Sequence, residues 1–375
     1  MRILCVIDQF GSGGAQRQMA NLACGLKQHG HEVEFFIYFP QYFFFRKQIE
    51  ECGIPVHEFH KGRGFSLGLI KRLVALIRNK RFEIVISFLS NPNIYAELSC
   101  IFSTSAKLVV SERNSHLNDR SHVRATVMRN LHRLSDFVVT NSVAHTDWLL
   151  QEFSWLKGKC TTIYNGADLE GYPGKPNLPS RPRDLRLIAV GRVVAQKNLI
   201  NFMKGLHIFH AAHGWVPQVS WVGRREESTS ASREYCQKVD DLLDSMPSVK
   251  QRWQWLGERT DVPELLDGHH ALILSSFYEG LPNVICEALA AGRPVLASDV
   301  CDNSILVPDG ERGFLFDPSK PETIAEAIMK LSVMDQEGWI RMSKIARRYA
   351  ETSLSIEHLV SSYEKLFKEL AGQNS

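Results

Sequence analysis

Two rounds of alternation between short apolar runs and amphipathic stretches, split once by prolines, constrain this chain more than any other feature. In the first round, strand-like runs at 3–7, 32–38, 83–87, 107–111 and 137–141 are separated by helical periodicity, for example at 16–29 and 69–78. Then Tyr172-Pro-Gly-Lys-Pro-Asn-Leu-Pro-Ser-Arg-Pro182 brings four prolines and a glycine, which neither a helix nor a central strand tolerates. The alternation restarts with runs at 185–190, 219–222, 253–256, 271–275, 294–297 and 313–316, and helical patterns at 321–332, 336–351 and 356–370 close it. Continuous apolar strands alternating with helices predict parallel sheets covered on both faces. The expectation is an α/β protein of two doubly wound parallel-sheet domains facing each other across a cleft. They span 1–171 and 185–355, joined by a linker at 172–184, and a terminal helix within 356–375 packs back on the first domain. A length of 375 residues suits two domains of roughly 100–200 residues each.

Composition narrows the partners. The formal net charge of +3 is too small to point to nucleic acid, and no nucleic-acid recognition module is evident, so no such partner is expected. The eight cysteines (5, 24, 52, 100, 160, 236, 286 and 301) form no CxxC pair. Several lie in apolar runs, where a free thiol behaves as a small core residue, so reduced cysteines in a cytosolic setting are expected. The apolar start, Met1 to Asp8, is too short for a signal peptide, and the aromatic stretch 35–45 is about half of what spans a bilayer. Tyr42-Phe43-Phe44-Phe45-Arg46-Lys47, with Arg113, Arg120, Arg124, Arg129 and Arg133 further on, fits docking on an anionic membrane surface. A solvated face over buried aromatics is the equal alternative.

Candidate chemistry concentrates in Phe277-Tyr278-Glu279-Gly280-Leu281-Pro282-Asn283-Val284-Ile285-Cys286-Glu287. A strand ends just before it and a helix begins near Pro282, so backbone N–H groups at the helix start face outward and suit a diphosphate. A carboxylate on that helix can accept both hydroxyls of a ribose, and one in the loop can do the same for a sugar ring. Gly191-Arg192 with Gln196-Lys197-Asn198 places two cations after a strand, where they can stabilise a departing nucleoside diphosphate. Solvated surface charges are the bland reading of all four. The turn Gly11-Ser12-Gly13-Gly14-Ala15-Gln16-Arg17 fails a dinucleotide fingerprint at Gln16. No Asp-x-Asp motif stands at a strand end, so neither a metal nor a cofactor is expected.

These segments resemble the retaining GT-B glycosyltransferases of family four. The likeness rests on the E-x7-E pair Glu279 and Glu287, the Arg192/Lys197 clamp, Asn165-Gly-Ala-Asp168 before the linker, and Gly310-Glu-Arg-Gly-Phe-Leu-Phe316. It implies two Rossmann-like domains and a nucleotide-sugar donor. Glu279 would then orient the donor sugar, Glu287 would anchor the ribose, and Arg192 and Lys197 would hold the diphosphate. Gly280, Leu281, Pro282 and Asn283 would border the donor, and Gly13 and Gly14 would approach the donor diphosphate or the acceptor. The loop of Arg259 would lie near the base, with Asp261 capping the helix that follows.

The family's glycine loop usually carries Glu where this chain has Gln16. Where many relatives have a histidine, Ser111-Glu112-Arg113-Asn114 stands instead. The resemblance makes Glu112, Arg113 or Asn114 acceptor-side candidates, with His116 either a shifted equivalent or a surface residue. The implied activity is transfer of a hexosyl or N-acetylhexosaminyl unit, with UDP-sugar favoured, to a glycan or lipid-linked acceptor in surface polysaccharide assembly. Such an enzyme would sit in the cytoplasm, at the inner membrane face if the docking surface operates. A nucleotide-sugar epimerase and a non-catalytic nucleotide-sugar-binding protein are the alternatives.

Overall fold

Every apolar run of the first round becomes a parallel strand because its side chains are buried on both sheet faces. In the computed structural model, which describes residues 1–102, 106–113 and 122–372 (side chains of 122–124 excepted), the chain divides into two units. The first comprises Met1–Gly166 with Ile356–Ser375, the second Ala167–Ser355.

The first unit holds a seven-stranded parallel sheet: β1 (Arg2–Val6), β2 (Glu32–Ile37), β3 (Val56–Glu58), β4 (Ile84–Phe88), β5 (Lys107–Glu112), β6 (Phe137–Thr140) and β7 (Cys160–Thr162). Their spatial order is β3-β2-β1-β4-β5-β6-β7, so the winding reverses between β1 and β4. Alternation along β1 divides the core. Ile3, Cys5 and Ile7 pack on one face with helix Gly14–Gln28 and the terminal helix Ile356–Leu370, whereas Leu4 and Val6 pack on the other with helix Leu67–Lys80. The amphipathic terminal helix buries Leu359, Val360, Tyr363, Leu366 and Phe367 in this unit.

The second unit has a six-stranded parallel sheet: β8 (Arg186–Val190), β9 (Gln218–Val222), β10 (Trp253–Gly257), β11 (Ala271–Leu274), β12 (Val295–Ser298) and β13 (Gly313–Phe316). Here the order is β10-β9-β8-β11-β12-β13, with the reversal between β8 and β11. Helices Leu199–His213 and Pro321–Ser332 bury their apolar faces against it through Phe202, Leu206, Ile324 and Ile328.

Two expectations change. The cysteines are not all free: Cys24, on helix Gly14–Gln28, and Cys52, just past helix Arg46–Glu51, form a disulfide. Spacing gave no sign of it because the two helices meet only in the fold. The short edge strands Val56–Glu58 and Cys160–Thr162 were also not anticipated. Among the described residues, no helix is long and apolar enough to cross a membrane.

Candidate functional site

In open parallel sheets, ligands bind beyond the carboxyl ends of strands where the winding reverses. In the second unit that point lies between β8 and β11, and the loops leaving these two strands carry Lys197 and Glu279. After β8, Gly191 donates its N–H to the Val222 carbonyl (2.8 Å) and accepts from the Trp221 indole (2.8 Å). A Cβ at Gly191 would lie 2.9 Å from Cε of Lys197, so glycine lets the lysine stem cross the strand end. Gly223, at φ +141°, is required for the same close approach, since any Cβ there would strike the Gly191 carbonyl.

The two loops are stitched together. Ser275 Oγ donates to the Lys197 carbonyl (2.8 Å), Phe277 N–H to the Gln196 carbonyl (2.9 Å), and Gln196 Nε2 to the Tyr278 carbonyl (2.8 Å). Asn198, in the left-handed region at φ +53°, donates its side-chain amide to the Ser275 carbonyl (3.1 Å). On this frame Lys197 Nζ stands 2.6 Å from Glu279 Oε1, which also accepts from Ser276 Oγ at 2.6 Å. Glu279 is 9% exposed and Ser276 is fully buried, so this is a nearly desolvated, charge-assisted cluster. Ser276 had no signal of its own in the sequence.

Beyond Glu279, Gly280 and buried Leu281 lead to Pro282, the N-cap residue of helix Asn283–Ala290, which supplies no side-chain cap. Glu287 lies one turn past Asn283 and is half-buried. Arg192 pairs with a different carboxylate. Its side chain is 55% exposed and bonds Glu226 Oε2 at 3.2 Å, and Arg224 reaches the same oxygen at 3.5 Å. Arg259, just past β10, bonds Asp261 at 2.7 Å. Asp261 occupies the N-cap position of helix Val262–Gly268 but makes no side-chain cap bond, contrary to expectation, because Arg259 draws its carboxylate away.

The first unit revises the acceptor-side candidates. Glu112 ends β5 with its carboxylate turned inward, accepting from His132 Nε2 (2.8 Å), His145 Nε2 (2.8 Å) and Arg129 Nε (3.2 Å). Burial alone would raise this carboxyl, but the hydrogen bonds from His132 and His145 and the charges of His132 and Arg129 hold it well below the usual range. His132 also meets buried Glu97 at 2.5 Å; burial lowers the imidazole, yet its two carboxylate partners push it up to about 9. Arg113 is likewise interior, donating to Ser111 Oγ (2.9 Å), Asn165 Oδ1 (2.5 Å) and the Tyr363 hydroxyl (2.9 Å), with its guanidinium 3.8 Å from the Phe88 ring centroid. Both side chains therefore hold the unit together, Arg113 by tying the terminal helix to β5, and neither is turned outward for an acceptor. Asn114 and His116 lie outside the described residues.

Gly13 is the N-cap residue of helix Gly14–Gln28, and a Cβ on it would collide with the Gln16 side chain folded across it. Gln16 Nε2 donates to Asp8 Oδ1 at 3.1 Å. Gly166, within the Asn165-Gly-Ala-Asp168 segment, exchanges two hydrogen bonds with the Gln18 amide (2.8 and 2.9 Å).

Comparison with known proteins decides the family. Residues 184–333 match the model of the glycosyl transferases group 1, and residues 12–170 that of glycosyltransferase family 4. The chain belongs to glycosyltransferase family four. Its fold is that of the family's GT-B members, with two Rossmann-like units. A glycosyltransferase from Rickettsia africae superposes with TM-score 0.84 at 17% identity, covering 100% of this chain and 99% of the other. Anabaena Alr3699/HepE in complex with UDP superposes with TM-score 0.82 at 19% identity, covering 98% and 100%.

Among curated family relatives, an Escherichia coli UDP-Gal:alpha-D-GlcNAc-diphosphoundecaprenol alpha-1,3-galactosyltransferase is 26% identical over 56% of this chain and 54% of its own length. A Campylobacter jejuni N-acetylgalactosamine-N,N'-diacetylbacillosaminyl-diphospho-undecaprenol 4-alpha-N-acetylgalactosaminyltransferase is 28% identical over 51% and 55%. The matched region thus spans about half the length of these two relatives.

Proposed function

We propose that this family-four chain transfers a hexosyl or N-acetylhexosaminyl unit from a nucleotide diphosphate sugar, UDP-linked by preference, to a glycan or lipid-linked acceptor in surface polysaccharide assembly. The carrying observation is the Lys197–Glu279 pair at the reversal point of the second sheet, held by hydrogen bonds between the loops leaving β8 and β11. Lys197, and Arg192 once released from Glu226, hold the diphosphate and stabilise its charge as it departs. Glu279 orients the donor sugar and Glu287 the ribose. Gly280, Leu281, Pro282 and Asn283 line the diphosphate side, and Arg259 borders the base. Gly13 and Gly14 approach the donor diphosphate or the acceptor.

Transfer proceeds with retention and without a metal. The anomeric C–O bond to the diphosphate breaks while a bond to the acceptor oxygen forms on the same face, and the acceptor's proton passes to a leaving diphosphate oxygen. That the curated relatives' names specify UDP-galactose or diphospho-undecaprenol acceptors supports this choice of partners. Docking on an anionic bilayer belongs to the same reading. Phe43 and Phe44 are 70% and 60% exposed, which gives the surface rings to insert, and beside them Lys47, in an exposed 3.7 Å pair with Glu51, can exchange that partner for lipid phosphate.

The test is product analysis with UDP-galactose and a diphosphate-linked N-acetylglucosaminyl lipid. The reading requires a new α-linked product with free UDP, identified by anomeric coupling. Isomerised sugar nucleotide formed without acceptor would replace it with an epimerase.

A further inference from the structure

With Glu112 and Arg113 engaged in the interior, the acceptor contacts of the first unit must come from elsewhere. The winding of this unit's sheet reverses between β1 and β4, so the loops leaving those strands frame its reversal point. Each of these loops carries an unusual feature. Leu89, directly after β4, has φ +77°, a conformation rare for a side-chain-bearing residue and concentrated at functional sites. Asp8, two residues past β1, is a half-buried carboxylate immediately before the glycine loop.

The surroundings of Asp8 prepare it to accept a hydrogen bond. Its backbone carbonyl accepts from the Tyr38 and Phe39 amides (3.1 and 2.8 Å), which fixes the residue between the ends of β1 and β2. Oδ1 accepts from Gln16 Nε2, so the carboxylate is oriented by an amide. Among the described residues no lysine, arginine or histidine forms an ion pair with it. Tyr38 is 1% exposed and its hydroxyl has no partner; burial raises the phenol, and the nearby Asp8 charge adds to that. Buried polar groups are normally satisfied, so an oriented carboxylate beside an orphaned phenol at a sheet's reversal point marks a place for a polar ligand.

The Gln16 departure from the family pattern follows from this geometry. A glutamate at 16 would set a second carboxylate about 3 Å from Asp8, where two like charges repel. Glutamine instead donates, leaving Asp8 free to accept from a ligand.

We propose that the carboxylate of Asp8, held by Gln16, binds a hydroxyl of the acceptor sugar at the reversal point of the first unit. The inference rests on the transferase reading above. A carboxylate that accepts from a sugar hydroxyl discriminates strongly against an acceptor lacking it, because the charged group is then left unpaired. Asp8 is thus a specificity-determining contact, and Gln16 is the residue that positions it.

The full chain is assayed for transfer from UDP-galactose to N-acetylglucosaminyl diphosphate carrying a short alkyl tail, and for UDP-galactose hydrolysis with the acceptor omitted. Asp8→Asn, which preserves shape and can still meet Gln16, lowers kcat/KM for the acceptor about 10- to 100-fold, as expected for loss of a charged hydrogen bond. Hydrolysis and UDP affinity stay within about twofold of the unmodified protein, on the same scale. Gln16→Ala, which leaves the carboxylate but not its orientation, gives a smaller loss confined to the acceptor. Equal acceptor kcat/KM in Asp8→Asn, or a parallel fall in hydrolysis and UDP affinity, overturns the proposal while the transferase reading stands. If the unmodified chain neither binds UDP nor turns over UDP-galactose, both readings fall together.

Discussion

Replacing Lys197 by alanine separates the role the ammonium group plays beside Glu279 from the diphosphate contact proposed for it. It stands 2.6 Å from Glu279 Oε1, and Glu279 is only 9% exposed. Removing the lysine leaves that carboxylate with the Ser276 hydroxyl as its remaining described side-chain donor, a stability cost of about 1–3 kcal/mol. The backbone bonds made by residues 196–198 persist, since they use carbonyl and amide groups that the substitution keeps. If the ammonium also holds the donor diphosphate, a charge-assisted contact worth about 1.5–3 kcal/mol disappears from the transition state. At tenfold per about 1.4 kcal/mol, kcat/KM for the donor falls about 10- to 150-fold.

Binding of UDP alone, which has no sugar for Glu279 to orient, tells the roles apart. Lys197→Ala weakens UDP in calorimetric titration, and Glu279→Gln leaves it within about threefold while lowering turnover, which keeps the glutamate's contribution below one charged contact. Near-native circular dichroism in both variants confines the effect to the site. A Lys197→Ala protein with unaltered UDP affinity and turnover would refute the clamp and leave the lysine as a purely structural partner of Glu279.

Three further outcomes follow from the first unit. Arg113→Ala removes hydrogen bonds to Asn165 and Tyr363 from a buried setting, so urea unfolding shifts by about 2–4 kcal/mol and the terminal helix becomes more accessible to protease. Because His132 is raised to about 9 from an ordinary 6.5, its pairing with Glu112 and Glu97 stabilises fully below pH 6.5 and is lost as pH rises through 9. Denaturation across that window should show a decline of at most about 3 kcal/mol, absent in His132→Gln. Phe43→Ala with Phe44→Ala abolishes sedimentation with phosphatidylglycerol-containing vesicles while transfer to a water-soluble acceptor persists; undiminished sedimentation removes the docking surface.

Much of the sheet framework was readable in sequence because central strands such as Ile84–Phe88 and Ala271–Leu274 are buried on both faces and form uninterrupted apolar runs. The edge strands Val56–Glu58 and Cys160–Thr162 escaped notice for the converse reason, being three residues long and largely half-exposed, with mostly polar side chains. At the candidate site, the positions of Lys197 and Glu279 at strand ends were visible from spacing. Their stitching by Ser275 and Gln196 was not, since neither residue carries a pattern. Glu112 and Arg113 misled because charge suggests exposure, whereas the partners that allow their burial (His132, His145, Asn165 and Tyr363) lie 20 to 250 positions away. Asp261 illustrates a nearer competition: a residue in a capping position was claimed by an arginine two places before it.

The central claim, that the second unit's reversal point binds a sugar diphosphate, is tested most directly by titrating UDP-, GDP- and ADP-sugars into the full chain calorimetrically. The account predicts saturable binding at one site, strongest for a UDP-sugar and weakened by Lys197→Ala. Absence of binding by all three nucleotide classes, or binding indifferent to Lys197, would contradict it.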